Sequence, residues 1–286
     1  MFVITGATGH TGSVAAETLL AAGATVRVVV RDSAKAERLK ALGAEVFVAD
    51  LGDQQALARA VRGAQGVFLI SPPDLTAQDF IGERKRLTQR QVDTFVAERV
   101  PHVVLLSSTG SQHARGTGLI VSTHNAERQL RASGLAATFV RAGSFVENWG
   151  AVVQAVKGDG VLPSFIAADK RIPAVSTLDI GRTVARALLE GPRGVRVLEL
   201  SGPVDVSPND VAATFSRILG KPVHVVEAQL VAAVPTFTSF GMSENIAGLF
   251  REMYAGMADG KIAAEPGGEH VRGTTSLETT LRALLG

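Results

Sequence analysis

Residues 6–12 read Gly6-Ala7-Thr8-Gly9-His10-Thr11-Gly12, directly after the apolar run Phe2–Thr5 and at the head of a helical pattern over Val14–Ala22. Three glycines at this spacing permit a tight turn, a close approach of backbone N–H groups to a phosphate, and tight helix–strand packing. The helix N-terminus adds a partial positive charge aimed at the same point. Glycine turns are common, so the triplet means little alone. Its weight comes from the order strand, glycines, helix and second strand (Thr25–Val30) within about 30 residues. The expectation is a pyrophosphate cradle drawn from these seven residues, and hence a bound dinucleotide.

The alternation continues. Glu45–Val48, Gly66–Ile70, His102–Ser107 and Ala136–Arg141 are short, nearly continuous apolar runs bounded by glycine, proline or aspartate. Such runs belong to strands buried on both faces, the mark of a parallel sheet. Between them, helical patterns such as Ala34–Leu42 and Gln54–Val61 are long enough for right-handed crossovers. The predicted class is α/β: a Rossmann-type doubly wound parallel sheet with a smaller α+β C-terminal lobe. Residues 1–150 are expected to form the nucleotide-binding domain, completed by later strands, and 151–286 a substrate-side lobe that is not a separable bead. In that second part Ser176 and Ser207 each precede an acid by three residues and read as helix starts. Val195–Leu200 and Val223–Val226 read as strands, and the chain from about Gln229 onward reads as helical.

Composition removes other classes. With 46% hydrophobic and 20% charged residues, the chain has enough apolar surface for a large core and is not disordered. The absence of cysteine excludes a disulfide framework, a thiolate zinc site and a cysteine nucleophile, and no histidine spacing resembles a metal site. A net charge of +2 gives no reason to expect nucleic acid as partner; the cluster Arg84-Lys85-Arg86 with Arg90 reads as a solvated helix face. Neither a signal peptide nor a membrane span is legible, and a cytoplasmic address is expected.

The second strand runs into Val30-Arg31-Asp32-Ser33-Ala34-Lys35. In this fold its tip faces the adenosine ribose, where an acid favours NAD and an arginine accommodates the 2′-phosphate of NADP. Arg31 stands first past the strand, with Lys35 one turn on, so NADP(H) is expected in preference to NAD(H). In the alternative reading both are surface residues and Asp32 is the ribose ligand. Asp50-Leu51, after the third strand, would lie near the adenine, although Asp50 is equally placed to cap the following helix. Ile70-Ser71-Pro72, at the end of the fourth strand, would lie near the nicotinamide.

These segments carry a family resemblance. TGATGHTG, VVVRDSAKA, LLSST and HNAERQLRASGLAATFVRAGSFVENW resemble the NmrA-like branch of atypical short-chain dehydrogenases/reductases, within it the small bacterial quinone oxidoreductase and triphenylmethane reductase type. The likeness extends over nearly the whole chain. It implies an NADPH-dependent oxidoreductase that passes hydride to a small, flat aromatic acceptor such as a quinone or dye. The branch also contains proteins that bind the nucleotide as redox sensors and act on protein partners, which is the alternative reading.

Wider relatives use a Tyr-x-x-x-Lys pair to move a proton on a hydroxyl. Here Leu119 or Ile120 falls where the tyrosine would stand, and Thr123 or His124 where the lysine would. The single tyrosine, Tyr254, is too far along the chain to be the counterpart by motif. That argues against sugar epimerase and ordinary alcohol dehydrogenase chemistry. A quinone is already electrophilic and its reduced oxygen can take a proton from solvent, so catalysis then rests on holding acceptor and nicotinamide in contact. His124 is the remaining polar candidate for a catalytic or cofactor contact, with a structural histidine as the alternative. Ser107 is placed either to touch the nicotinamide or simply to close a strand, and Glu127 reads as an ion-pair or packing residue. Phe145, Asn148 and Trp149 follow the sixth strand at the carboxyl edge and are candidates for the acceptor site or for joining the lobes.

Overall fold

The computed structural model describes residues 1–70 and 73–286. Its strands are β1 Phe2–Thr5, β2 Val26–Val30, β3 Glu45–Val48, β4 Gly66–Leu69, β5 Val103–Ser108, β6 Ala137–Ala142, β7 Ser144–Phe145, β8 Val161–Ser164, β9 Ala174–Val175, β10 Val195–Ser201, β11 His224–Glu227 and β12 Glu269–Arg272. The helices are α1 His10–Ala21, α2 Glu37–Ala41, α3 Gln54–Val61, α4 Phe80–Ala97, α5 Val121–Ala132, α6 Val153–Asp159, α7 Thr177–Glu190, α8 Pro208–Leu219, α9 Ala233–Ser239, α10 Glu244–Ala258 and α11 Leu277–Leu285.

Eight strands form one parallel sheet in the order β12-β10-β6-β5-β4-β1-β2-β3. The apolar runs earn that arrangement because successive residues face opposite sides of a strand. In β5, Val103 and Leu105 pack with α3, α4 and α5, whereas Val104 and Leu106 pack with α1 and α7. Burying a Val or Leu side chain contributes roughly 1.5–3 kcal/mol, so strands covered on both faces are held from both sides. Strand order reverses between β1 and β4, and open α/β sheets bind ligands in the crevice outside such a point.

β10 and β12 lie beyond residue 150 yet return to the main sheet, as do α7 and its contacts with α1. The rest of the later chain builds a smaller core from Val153, Val156, Leu162, Val211, Phe215 and Leu281. β12 corrects the expectation of helix from Gln229 to the end. Its sequence, Glu-His-Val-Arg, has one apolar residue, and pairing with the edge of β10 gives it strand form. The reading of Ser207-Pro208-Asn209-Asp210 is met in full: Ser207 and Asp210 form a reciprocal capping box with Pro208 at the first helical position. Ser176 likewise caps α7, but Asp179 turns away from that cap and accepts from Thr275 N–H at 2.8 Å and its hydroxyl at 2.9 Å. Among the described residues no helix is long and apolar enough to cross a membrane.

Candidate active site

The turn from β1 into α1 divides the seven loop residues by task. Ala7, Thr11 and Gly12 are buried and hold the turn together, whereas Thr8, Gly9 and His10 are exposed at its rim. Gly6 has φ +61, and a Cβ there would overlap the Ile70 side chain across the switch point. At Gly12 a Cβ would overlap the Gly6 carbonyl and lie 2.9 Å from Ala7 Cα, so only glycine lets the helix sit this close to the strand. Gly9 differs. Its backbone is extended (φ −90, ψ 167), and a Cβ would meet only Gly6 O at 3.5 Å, an ordinary contact. Nothing inside the protein requires glycine at that position.

The helix start agrees. α3, α4, α7, α8, α10 and α11 each begin on an Asp or Ser whose side chain accepts a first-turn N–H. No side chain caps α1, so its first-turn amides are turned outward without an intrahelical partner. An open cradle of donors, with no Cβ in the way, fits a pyrophosphate.

At the tip of β2, Arg31 and Lys35 are exposed, and neither makes an ion pair among the described residues. Asp32 caps the short turn after it, its carboxylate accepting from Ala34 N–H at 3.0 Å. Asp50 accepts from Gly52 N–H at 2.6 Å, and it is Asp53 that caps α3. Leu51 packs against the core beneath. Ile70 N–H donates to Thr5 Oγ1 at 3.2 Å; Ser71 and Pro72 lie outside the described residues.

His124 sits in the first turn of α5 and is half-buried. Its Nδ1 lies 2.8 Å from the Ser111 carbonyl, which only accepts, so Nδ1 carries the proton. The Nε2 of the neutral ring is then an acceptor. Ser107 is turned inward. Its hydroxyl donates to Glu127 Oε1 at 2.6 Å and lies 3.0 Å from Ser111 Oγ, which in turn lies 2.7 Å from Thr123 Oγ1.

Beneath this chain of hydrogen bonds is a buried ionic row in which Glu127 is the ion-pair residue expected, whereas its partners Arg141 and Glu199 were missed in the sequence. Ser107, Arg141 and Glu199 are register partners across β5, β6 and β10. Arg141 Nε and Nη2 both bond Glu127, at 2.9 and 2.8 Å, and Nη1 bonds Glu199 at 3.1 Å and Glu265 at 2.7 Å. Burial alone would raise the Glu127 carboxyl, but hydrogen bonds from Arg141, Ser107 and Arg131 hold it below its ordinary value. Glu199 is pushed up by burial, and its Oε2 has no partner among the described residues. A visible signal existed: one basic and one acidic residue, each interrupting an apolar strand of a parallel sheet, require each other.

The acceptor candidates are dispersed. Phe145 packs against the main core, and Trp149 packs against the core of the smaller lobe; Asn148 is exposed. Over the carboxyl edge lie instead α9 and α10, carrying aromatic residues that sequence reasoning passed over.

Residues 1–269 match the NmrA-like family. The chain is 27% identical to the NAD(P)H azoreductase of Xenophilus azovorans, over 89% of this chain and 86% of the relative. It is 29% identical to quinone oxidoreductase 2 of Escherichia coli K12, over 94% and 89%. The solved NADPH complex of that E. coli quinone oxidoreductase superposes with a TM-score of 0.83 at 26% identity, covering all of both chains. The Citrobacter triphenylmethane reductase complexed with NADP(H) has the same fold, with a TM-score of 0.82 at 19% identity, again over both whole chains.

Proposed function

The chain belongs to the NmrA-like family, and from that membership and the cradle geometry we propose that it is an NADPH-dependent oxidoreductase reducing a flat electrophilic acceptor of quinone, azo or dye type. The observation that carries the proposal is Gly9, a glycine at the rim of an uncapped helix where the protein itself has room for a side chain. Bound there, the cofactor supplies the hydride. The residues of the chain bind and orient. The α1 amides hold the pyrophosphate, and Arg31 with Lys35 takes the 2′-phosphate. Asp32 caps the following turn through Oδ1, and the two cations beside it favour the phosphate. His124 Nε2 accepts from a hydroxyl of the nicotinamide ribose, a positioning task for which its tautomer is already set.

With Nδ1 held by the Ser111 carbonyl, His124 is read as orienting the cofactor rather than as a general acid. The acceptor's oxygen takes its proton from water, and the rate comes from proximity. Relatives at 27% and 29% identity are named an azoreductase and a quinone oxidoreductase, which favours turnover over a sensing role.

The test is Gly9→Val. Its extended backbone suits valine, so the chain should fold with unchanged circular dichroism while NADPH binding is lost. Unchanged NADPH affinity would place the cofactor elsewhere.

A further inference from the structure

The only tyrosine of the chain takes no part in the site described so far. It lies on α10, and the packing of that helix places it. One side of α10 is seated on the turn that opens α5. Gly118 there has φ +58, and a Cβ would overlap the Leu249 carbonyl and lie 2.7 Å from Met253 N. Gly116 N–H also donates to Glu252 at 2.7 Å. The helix is thereby fixed beside the start of the helix that carries His124.

The next stripe of α10 carries Phe250 and Tyr254. Phe250 packs against the small core of Ala77, Phe80 and Ile246, as do Ile81 at the start of α4 and Leu119 before α5. Phe237 of α9 lies 4.9 Å from the Phe250 ring, and Phe165, just past β8, lies 5.4 Å from Tyr254 and 5.5 Å from Phe237. The rings therefore run from the starts of α4 and α5 to the second lobe, on the side of the sheet where the reading above puts the nicotinamide. None of the four is fully buried.

The Tyr254 hydroxyl has no hydrogen-bond partner among the described residues, although a phenol in apolar surroundings normally finds one. Burial raises its pKa, so it remains a protonated donor at neutral pH.

We propose that the Tyr254 hydroxyl donates a hydrogen bond to a carbonyl oxygen of a quinone-type acceptor lying against the Phe165 and Phe237 rings. This rests on the reductase reading above. The acceptor gains a hydride as the reduced nicotinamide is oxidised, which gives a hydroquinone monoanion, and water supplies the remaining proton. Tyr254 keeps its own proton and stabilises the oxygen on which negative charge develops. A phenol has thus been restored to the site from a different helix, with a different task from the Tyr-x-x-x-Lys tyrosine.

Chemical class gives the test. In 1,4-naphthoquinone the developing charge falls on oxygen, whereas the cation of crystal violet accepts hydride at carbon and has no oxygen to bond. Tyr254→Phe keeps the ring packing. It should lower kcat/KM for naphthoquinone by about 10- to 100-fold, at or below the usual effect of removing one oxyanion donor, and leave crystal violet reduction and NADPH affinity unchanged. Calorimetry on the NADP⁺-bound protein should show naphthohydroquinone binding weakened by the same substitution. Equal losses on both acceptors, or no loss on naphthoquinone, would overturn the proposal. Should the wild-type protein reduce neither these two acceptors nor an azo dye, the reductase reading fails by itself, and unchanged naphthohydroquinone affinity in Tyr254→Phe would then overturn this proposal separately.

Discussion

The His124 imidazole donates its Nδ1 proton to the Ser111 carbonyl at 2.8 Å, which leaves Nε2 as the acceptor of the neutral ring. In that form the ring can orient a hydroxyl at Nε2 but has no proton there to give. His124→Ala should keep most of its kcat with a simple quinone and raise KM for NADPH, because a ribose contact is lost and no proton donor is. Steady-state kinetics at neutral pH check this. A fall in kcat by the ~10²–10⁴ expected of a general acid would contradict it.

Cofactor preference follows from the tip of β2. Arg31→Ala should weaken NADPH by about 10- to 150-fold, the equivalent of a charge-assisted hydrogen bond of roughly 1.5–3 kcal/mol, and leave NADH nearly unchanged. Adding Lys35→Ala should deepen the loss. Fluorescence titration with both nucleotides separates the outcomes: equal losses would make Arg31 structural.

The Arg141 row is a matter of stability. Removing the guanidinium leaves buried Glu199 without its cation and buried Glu127 with only Arg131, so Arg141→Ala should cost about 3–5 kcal/mol in urea unfolding. Arg141→Leu combined with Glu127→Leu should cost less than the two single substitutions added together, because either single change already removes the paired Arg141–Glu127 hydrogen bonds. Additive losses would show that the pair is not coupled.

His102 supplies a pH dependence remote from the site. It is buried, with Nε2 2.9 Å from Thr138 Oγ1 and Nδ1 unpartnered, and burial together with the nearby Arg196 charge lowers its pKa to about 4. Between pH 6.5 and 4 the unfolded chain binds a proton that the folded protein refuses. The contribution of neutral His102 is therefore complete above pH 6.5 and declines as pH falls toward 4, by up to roughly 3 kcal/mol. His102→Gln should flatten this part of the stability profile. An unchanged acid slope would show that His102 is not its source.

What the sequence disclosed depended on locality. The Gly6–Gly12 loop, the runs that became β1 to β6 and the Ser207–Asp210 box are written in neighbouring residues, and periodicity or cap chemistry identifies them. β12 is a strand because β10 offers it an edge, and nothing within Glu269–Arg272 announces this. The Arg141 contacts join residues 58 and 124 positions apart, and Phe80 packs with Ile246 only after the sheet has closed. Trp149 takes the lobe-side position that the sequence left open as its alternative. It follows the right strand, but its ring turns to the smaller core, and the rings over the crevice come from α9 and α10.

Reduction itself can be measured directly. The wild-type protein, mixed with NADPH and a panel of quinones, azo dyes and triphenylmethane dyes, is followed by loss of the reduced-nicotinamide absorbance. The account predicts acceptor-dependent NADPH oxidation with at least one class, slower with NADH at equal concentration. Tight NADPH binding with no oxidation on any acceptor would contradict it and leave a nucleotide-binding protein without reductase activity.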